Sequence, residues 1–259
     1  MRRAGFLFFL FAWLIVPAGA QVPLAENIQI GLSTDRIMIT SDFSGADLTI
    51  FGAVDNADPL VSRQGGYDVI VVLEGPAEPV VVWKRSRILG VWVNAQSETF
   101  VNIPISYSVS TTRVFQDITT PTSYRQLSLG AQNIYLEPKE RAGPPPTIAE
   151  FTAALRERKL ATGLYRERIG GVQFLSSTLF RATVDLPPNV PVGTHKARAF
   201  LFKHGEFVKE TSANLAIVKA GFEQSVYEAA HEYSFYYGLF AVMLAMVTGW
   251  LGRVLFRKD

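Results

Sequence analysis

The 259-residue chain has no cysteine and only three histidines. The first absence excludes disulfide scaffolds, cysteine-ligated zinc, thiol nucleophiles and lipoprotein anchoring. The histidines, His195, His204 and His231, are scattered, and no H-x-x-x-H or H-E-x-x-H spacing occurs, so no metal site is expected. Also missing are G-x-S-x-G, G-x-x-x-x-G-K-[ST] and G-x-G-x-x-G, which removes the common hydrolase elbow, P-loop and dinucleotide fingerprint. There is no Asp-rich loop for calcium. Twenty Gly and 14 Pro are ordinary usage, so collagen-like and low-complexity classes are excluded.

What the sequence does have lies first at its ends. Arg2 and Arg3 precede an uncharged apolar run over residues 4–16, followed by Pro17 and the small residues Ala18, Gly19 and Ala20. This is the pattern of a secretory signal peptide, expected over residues 1–20. At ~1.5 Å per residue the run spans ~20 Å, too short for a ~30 Å hydrocarbon core. Near the other end residues 235–251 carry no charge, with Tyr233, Tyr236 and Tyr237 at one boundary and Trp250 at the other. A membrane-spanning helix is expected over 234–252, with aromatic rings at both interfaces. Arg253, Arg257 and Lys258 follow it, and the positive-inside rule then puts the tail 253–259 in the cytoplasm and the bulk of the chain outside.

These ends also account for the formal charge of +2. Setting them aside leaves 20 Lys+Arg against 22 Asp+Glu over residues 21–252, a net charge of −2. A domain built to hold phosphate should show the opposite balance, so no nucleic-acid partner is expected.

From residue 28 onward short runs rich in Val, Ile, Phe and Trp alternate with period two, at 28–32, 36–40, 47–54, 67–73, 80–84, 89–93 and 98–103. A second strand-rich block covers 172–218, its core being 179–186, a Pro/Gly crossover, 194–203, a turn at His204-Gly205 and 207–218. This block resembles the last three strands of bacterial immunoglobulin-like modules. Residues 104–135 show few periodic runs, and one helix is expected over 147–163. Thr147 and Glu150 form its capping box, Ile148, Phe151 and Leu155 make its apolar stripe, and Arg156, Glu157, Arg158 and Lys159 face water.

The expected fold is therefore mainly β: an immunoglobulin-like antiparallel β-sandwich at 21–220, with an α-containing insertion at about 104–170, followed by one C-terminal transmembrane helix. Two separate sandwiches are the alternative. A helical stalk over 221–233 is expected to join the domain to the membrane.

Two patches stand out as candidate contact sites. Trp83 and Trp92 bracket Lys84, Arg85 and Arg87. One reading makes this a basic, aromatic-edged patch for an anionic ligand or lipid surface. The competing and preferred one buries both Trp residues in the sandwich core, with the cations in a solvated hairpin turn. In the apolar helix Gly238, Ala241, Ala245, Gly249 and Gly252 make a small-residue stripe on which a second helix could pack, either another copy or an integral membrane protein. His195 and His204 are expected to be solvent-exposed or locally hydrogen-bonded, and Glu137, Glu140, Glu150 and Glu157 to be solvated.

The segments VVVWKRSRILGVWVN (80–94), LFRATVDLPPNVPVGTHKARAFLFKHGE (179–206) and YGLFAVMLAMVTGWLGR (237–253) resemble a family of alphaproteobacterial transmembrane proteins to which no activity is attached. The resemblance implies a periplasmic domain on a Gram-negative inner membrane, with no catalytic residues and no cofactor. It also implies an occasional neighbourhood of sulfite-exporter-like permeases. The expected function is a membrane-anchored periplasmic interaction or assembly module without catalysis. The alternative is a ligand-binding accessory subunit of an inner-membrane transporter, of anion or sulfite-exporter type, whose insertion covers a pocket. A third reading, an enzyme with a carboxylate site, requires the four glutamates to converge.

Overall fold

The computed structural model describes residues 25–40, 42–139, 145–220 and 230–255. The expected signal peptide, residues 221–229 of the expected stalk, Glu140, the Thr147 cap and the side chains of Arg253, Arg257 and Lys258 lie outside the described residues.

Two sheets face each other. The first is wholly antiparallel in the order β1 (Asn27–Leu32), β3 (Ala46–Asp55), β11 (Leu179–Leu186), β10 (Val172–Phe174). The second runs β2 (Arg36–Ile39), β13 (Glu206–Lys219), β12 (Gly193–Lys203), β4 (Tyr67–Glu74), β7 (Tyr107–Thr111), β9 (Tyr165–Ile169). Its outer pairs β2/β13 and β7/β9 are parallel. This is the immunoglobulin layout: four strands ordered A-B-E-D against a sheet whose centre is G-F-C, with β7 in the added C′ position. The early block supplies β3 and β4, and the late block pairs directly onto both through β11 and β12. The two blocks thus make one composite sandwich.

Alternation explains which residues enter the core. In β11 the even positions Phe180, Ala182, Val184 and Leu186 are buried and pack across the gap against Val69, Val71 and Leu73 of β4 and Ala197, Ala199 and Leu201 of β12. The second sheet is covered on its other face too. Ile70 and Val72 of β4 and Phe200 and Phe202 of β12 point into a second core built by the insertion. That is why β4 is apolar with almost no alternation, burying seven of its eight residues.

The insertion begins earlier than expected, directly after β4. A long hairpin, β5 (Ala77–Ile88) and β6 (Val91–Pro104), pairs with the two-residue β8 (Glu137–Pro138) as a third sheet. The segments expected as sandwich strands at 80–84, 89–93 and 98–103 are therefore not sandwich strands. The expected break at residues 85–88 is also displaced: the turn is Leu89-Gly90, with φ of 49° and 86°. Positive φ at both central residues is the type I′ geometry whose twist matches a tight hairpin.

Short helices α1 (Pro59–Arg63), α2 (Phe115–Ile118) and α3 (Pro121–Leu127) lie in the connections. The longer α4 (Pro145–Ala161) starts on two prolines, tolerated in a first turn, and ends at Gly163. Gly163 donates to the Leu160 carbonyl at 3.0 Å and Leu164 to the Lys159 carbonyl at 3.1 Å, the paired bonds of a Schellman cap. Phe151 and Leu155 enter the second core as expected. Arg156 and Lys159 do not face water. Lys159 sits four residues beyond Leu155 on the same stripe, and its Nζ donates to the Ile105 carbonyl at 2.9 Å. Arg156 donates to the Ile134 carbonyl at 2.8 Å.

The apolar helix α5 (Ser234–Leu255) includes the 19-residue stretch Ser234–Gly252, none of it buried against the protein. Nineteen residues rise ~28 Å, close to the hydrocarbon thickness of a bilayer. A bend at Tyr233 separates it from the helical residues 230–232, so the helix is not continuous through this boundary.

Candidate functional site

The hairpin β5–β6 is packed at its base and free at its end. Val80 and Val82 pack against the second core, Phe100 and Ile103 are buried in it, and residues 83–97 are exposed apart from half-buried Ser86. Cross-strand partners share a face. Arg87 stands opposite Trp92, Arg85 opposite Asn94 and Trp83 opposite Ser97, so both tryptophans and both arginines lie on one side of the ribbon. Lys84 points to the other side, where its Nζ is 2.7 Å from Glu150 Oε1 on α4. The register slips between Lys84 and Arg85, leaving Ala95 as the extra residue of a bulge, and a bulge sharpens the local twist.

Both tryptophans lie outside the sandwich core, against the preferred expectation. Trp83 is 55% and Trp92 66% exposed, because β5 and β6 form a ribbon outside the sandwich and only their first rungs reach a core. The other reading, a basic and aromatic-edged surface, is the one the geometry holds together. The tip adds residues that composition did not single out: Ile88, Leu89 and Val91 are exposed, Leu89 completely. The available signal was the run from 79 to 97, which holds three cations and no acid.

The remaining titratable groups serve the fold. Of the two expected states His195 takes the locally hydrogen-bonded one, wholly buried with Nε2 3.3 Å from Ser106 Oγ and Nδ1 3.3 Å from the Gly193 carbonyl. Burial pushes its pKa below the usual imidazole value, against the opposing hydrogen bond to Gly193. His204 forms the β12–β13 turn with Gly205. Arg198 bridges Glu74 at 2.9 Å and Glu210 at 2.8 Å and lies over the Phe200 ring at 4.7 Å. Burial pushes the Tyr165 hydroxyl pKa up; that hydroxyl donates to the Pro104 carbonyl at 2.9 Å.

Of the four glutamates, Glu150 is paired with Lys84, Glu157 is exposed on α4, and Glu137 lies in β8. Among the described residues no group of three or more His, Asp or Glu could hold a metal ion. Open clefts of about 530 Å³ beside Arg113 and His204, 740 Å³ beside Glu26 and Lys203, and 520 Å³ beside Asp47 and Arg166 lie on the surface. Beneath the insertion the space is filled by Phe100, Ile103, Tyr107, Phe151 and Leu155. Arg113 and residues 116–121 of the insertion line the cleft beside His204.

On α5, added Cβ atoms at Gly238, Gly249 and Gly252 would meet nothing within 4 Å, and Ala241 and Ala245 are exposed on the same stripe.

An immunoglobulin-like sandwich carrying a helix-and-hairpin insertion, followed by one helix of spanning length, defines a membrane protein with a β domain and, among the described residues, one candidate span. The chain belongs to the family described as "Putative transmembrane protein (Alph_Pro_TM)", which matches residues 27–258. No curated protein matches it. Among solved structures, it is similar to the crystal structure of AggA, the major subunit of aggregative adherence fimbriae type I (AAF/I) from Escherichia coli. That similarity covers 77% of this chain and 98% of AggA, at 9% identity and a TM-score of 0.28. The sandwich assignment rests on the strand order above.

Proposed function

We propose that the chain is a non-enzymatic interaction module, displayed in the periplasm and anchored in the inner membrane by α5, with the β5–β6 hairpin as its contact element. One observation carries this reading. A ribbon of the insertion leaves two tryptophans, two arginines and an aliphatic tip in solvent, in a β domain whose other described aromatics are packed or half-buried except Phe51, Tyr135 and Phe207. Exposed aromatic and arginine side chains on a rigid scaffold are the residue types that dominate binding surfaces. The charge contrast supports it, since the ribbon is cationic while the exported part as a whole is slightly acidic.

A photo-crosslinking residue at Val91, with one at Glu206 on the β12–β13 turn as control, tests the contact element in native membranes. Adducts from position 91 that are absent at 206 are expected. Equal adducts from both positions, or none, contradict the reading. The topology is tested separately, because the chain has no cysteine of its own. Tyr135→Cys should react with an impermeant maleimide in intact spheroplasts, and Asp259→Cys only after lysis.

A further inference from the structure

We propose that the hairpin tip docks on the anionic surface of the bilayer that holds α5; this rests on the interaction-module reading and names its partner. The tip has two zones. Ile88, Leu89 and Val91 form an aliphatic end, and behind it Arg85, Arg87 and Trp92 share the ribbon. Aliphatic groups enter the acyl boundary, indole rings settle at headgroup depth, and guanidinium groups pair with lipid phosphates. The zones follow that order along the hairpin, and no acid between residues 79 and 97 opposes the headgroups.

The backbone at the tip has no structural reason to be leucine. Leu89 has a φ of 49° in a type I′ turn, a position that favours Asn, Asp or Gly, and its side chain touches no core. A bulky apolar residue held in that conformation and left in solvent is strain without a folding return, the kind that accumulates at functional positions.

The root of the hairpin lies at the end of the second sheet from which the chain continues toward α5. The hairpin springs from Gly75-Pro76, where the Gly75 N–H donates to the Ser106 carbonyl at 2.8 Å. Pro76 lies against Gly193, and Gly193 pairs with Ile217, two residues before β13 ends at Lys219. The strand that leads toward α5 and the root of the hairpin thus leave the same end of the second sheet, and the His204-Gly205 turn lies at the other end. From Lys84 to Leu89 the ribbon reaches ~17 Å beyond its ion pair with α4. Anchoring by α5 raises the local concentration of bilayer at the tip, so a modest intrinsic affinity suffices.

The test uses full-length protein with a single cysteine, Leu89→Cys or Glu206→Cys, carrying a polarity-sensitive fluorophore. It is reconstituted in vesicles of phosphatidylcholine with phosphatidylglycerol, and in phosphatidylcholine alone. The expected result is a blue shift and quenching by brominated lipid at position 89 in the anionic vesicles. Both effects should weaken in neutral vesicles, at high salt, and in Arg85→Glu/Arg87→Glu, while position 206 stays water-like. A water-like label at position 89 in anionic vesicles overturns the proposal. So does shielding that grows with protein-to-lipid ratio without lipid quenching, which would mean that a second copy covers the tip. A water-like label accompanied by a specific protein adduct from Val91 rejects the bilayer and keeps the interaction module. Neither lipid contact nor adduct rejects both.

Discussion

Lys84 Nζ lies 2.7 Å from Glu150 Oε1, joining the hairpin to α4 at the point where the ribbon leaves the body of the protein. Both side chains are about half exposed, and exposed pairs contribute only ~0.2–1 kcal/mol. Lys84→Ala and Glu150→Ala should each shift the melting temperature little, and a double-mutant cycle should return a coupling below ~1 kcal/mol that vanishes in salt. A coupling of several kcal/mol would show that the hairpin is held in place by this pair instead of by Val80, Val82, Phe100 and Ile103.

Leu89→Asn creates the Asn-Gly sequence that the type I′ turn favours and relieves about 1 kcal/mol of local backbone strain. Thermal melting of the full chain should stay level or rise, while contact at the tip is lost. A clear drop in melting temperature would mean that Leu89 packs against something in the folded protein.

His195 makes stability depend on pH. Its pKa is depressed in the folded protein by burial among Ser106, Gly75 and Gly193, whereas the unfolded chain protonates near pH ~6.5. Below that value the unfolded state binds more protons, so stability is fully present above ~6.5 and falls as the pH drops toward the folded pKa. Glu26 and Glu210 do not share this window. Burial raises the Glu26 pKa, but hydrogen bonds from Lys203 and Tyr67 outweigh it, and the Arg198 hydrogen bond lowers that of Glu210. Both therefore act below the ordinary carboxylate range. Chemical denaturation at pH 7.5, 6.5 and 5.5 should show a decline that His195→Gln flattens.

The sandwich core is the part that tolerates least. A Cβ at Gly52 of β3 would lie 2.2 Å from Phe180 Cζ and 2.6 Å from the Gln29 carbonyl, so Gly52→Ala forces both sheet neighbours apart. A loss of about 1–3 kcal/mol is expected, and about 3–5 kcal/mol for Phe200→Ala in the second core. Urea denaturation measures both, with Trp92→Ala as the contrast that should leave the midpoint unchanged.

Much of the sandwich could be read from residue order, because β3 and β11 bury alternate positions and display the others. The failures have physical causes. The segment at β7, Tyr107-Ser-Val-Ser-Thr111, reads as a loop because its serines look like solvent residues. In the fold they are buried, and Ser108 and Ser110 donate to the Asp185 and Thr183 carbonyls of β11, at 2.8 and 2.6 Å. The hairpin failed in the opposite sense. Val81, Trp83 and Val93 alternate as core strands do, and period two cannot distinguish a buried strand from a free ribbon. Lys159 was legible: its place four residues after Leu155 puts it on the buried stripe, although lysine is a residue type that ordinarily faces water. The candidate site was visible as composition, while its exposure required the partnering of β4 with β12 to exclude β5 and β6 from the sandwich.

Amide hydrogen exchange over residues 84–93, compared between the full chain in native membranes and in detergent, tests the hairpin's role most directly. The account predicts slower exchange at the tip in membranes, with the β12–β13 turn unchanged. Identical exchange in both settings, with the tip open to solvent throughout, would contradict it.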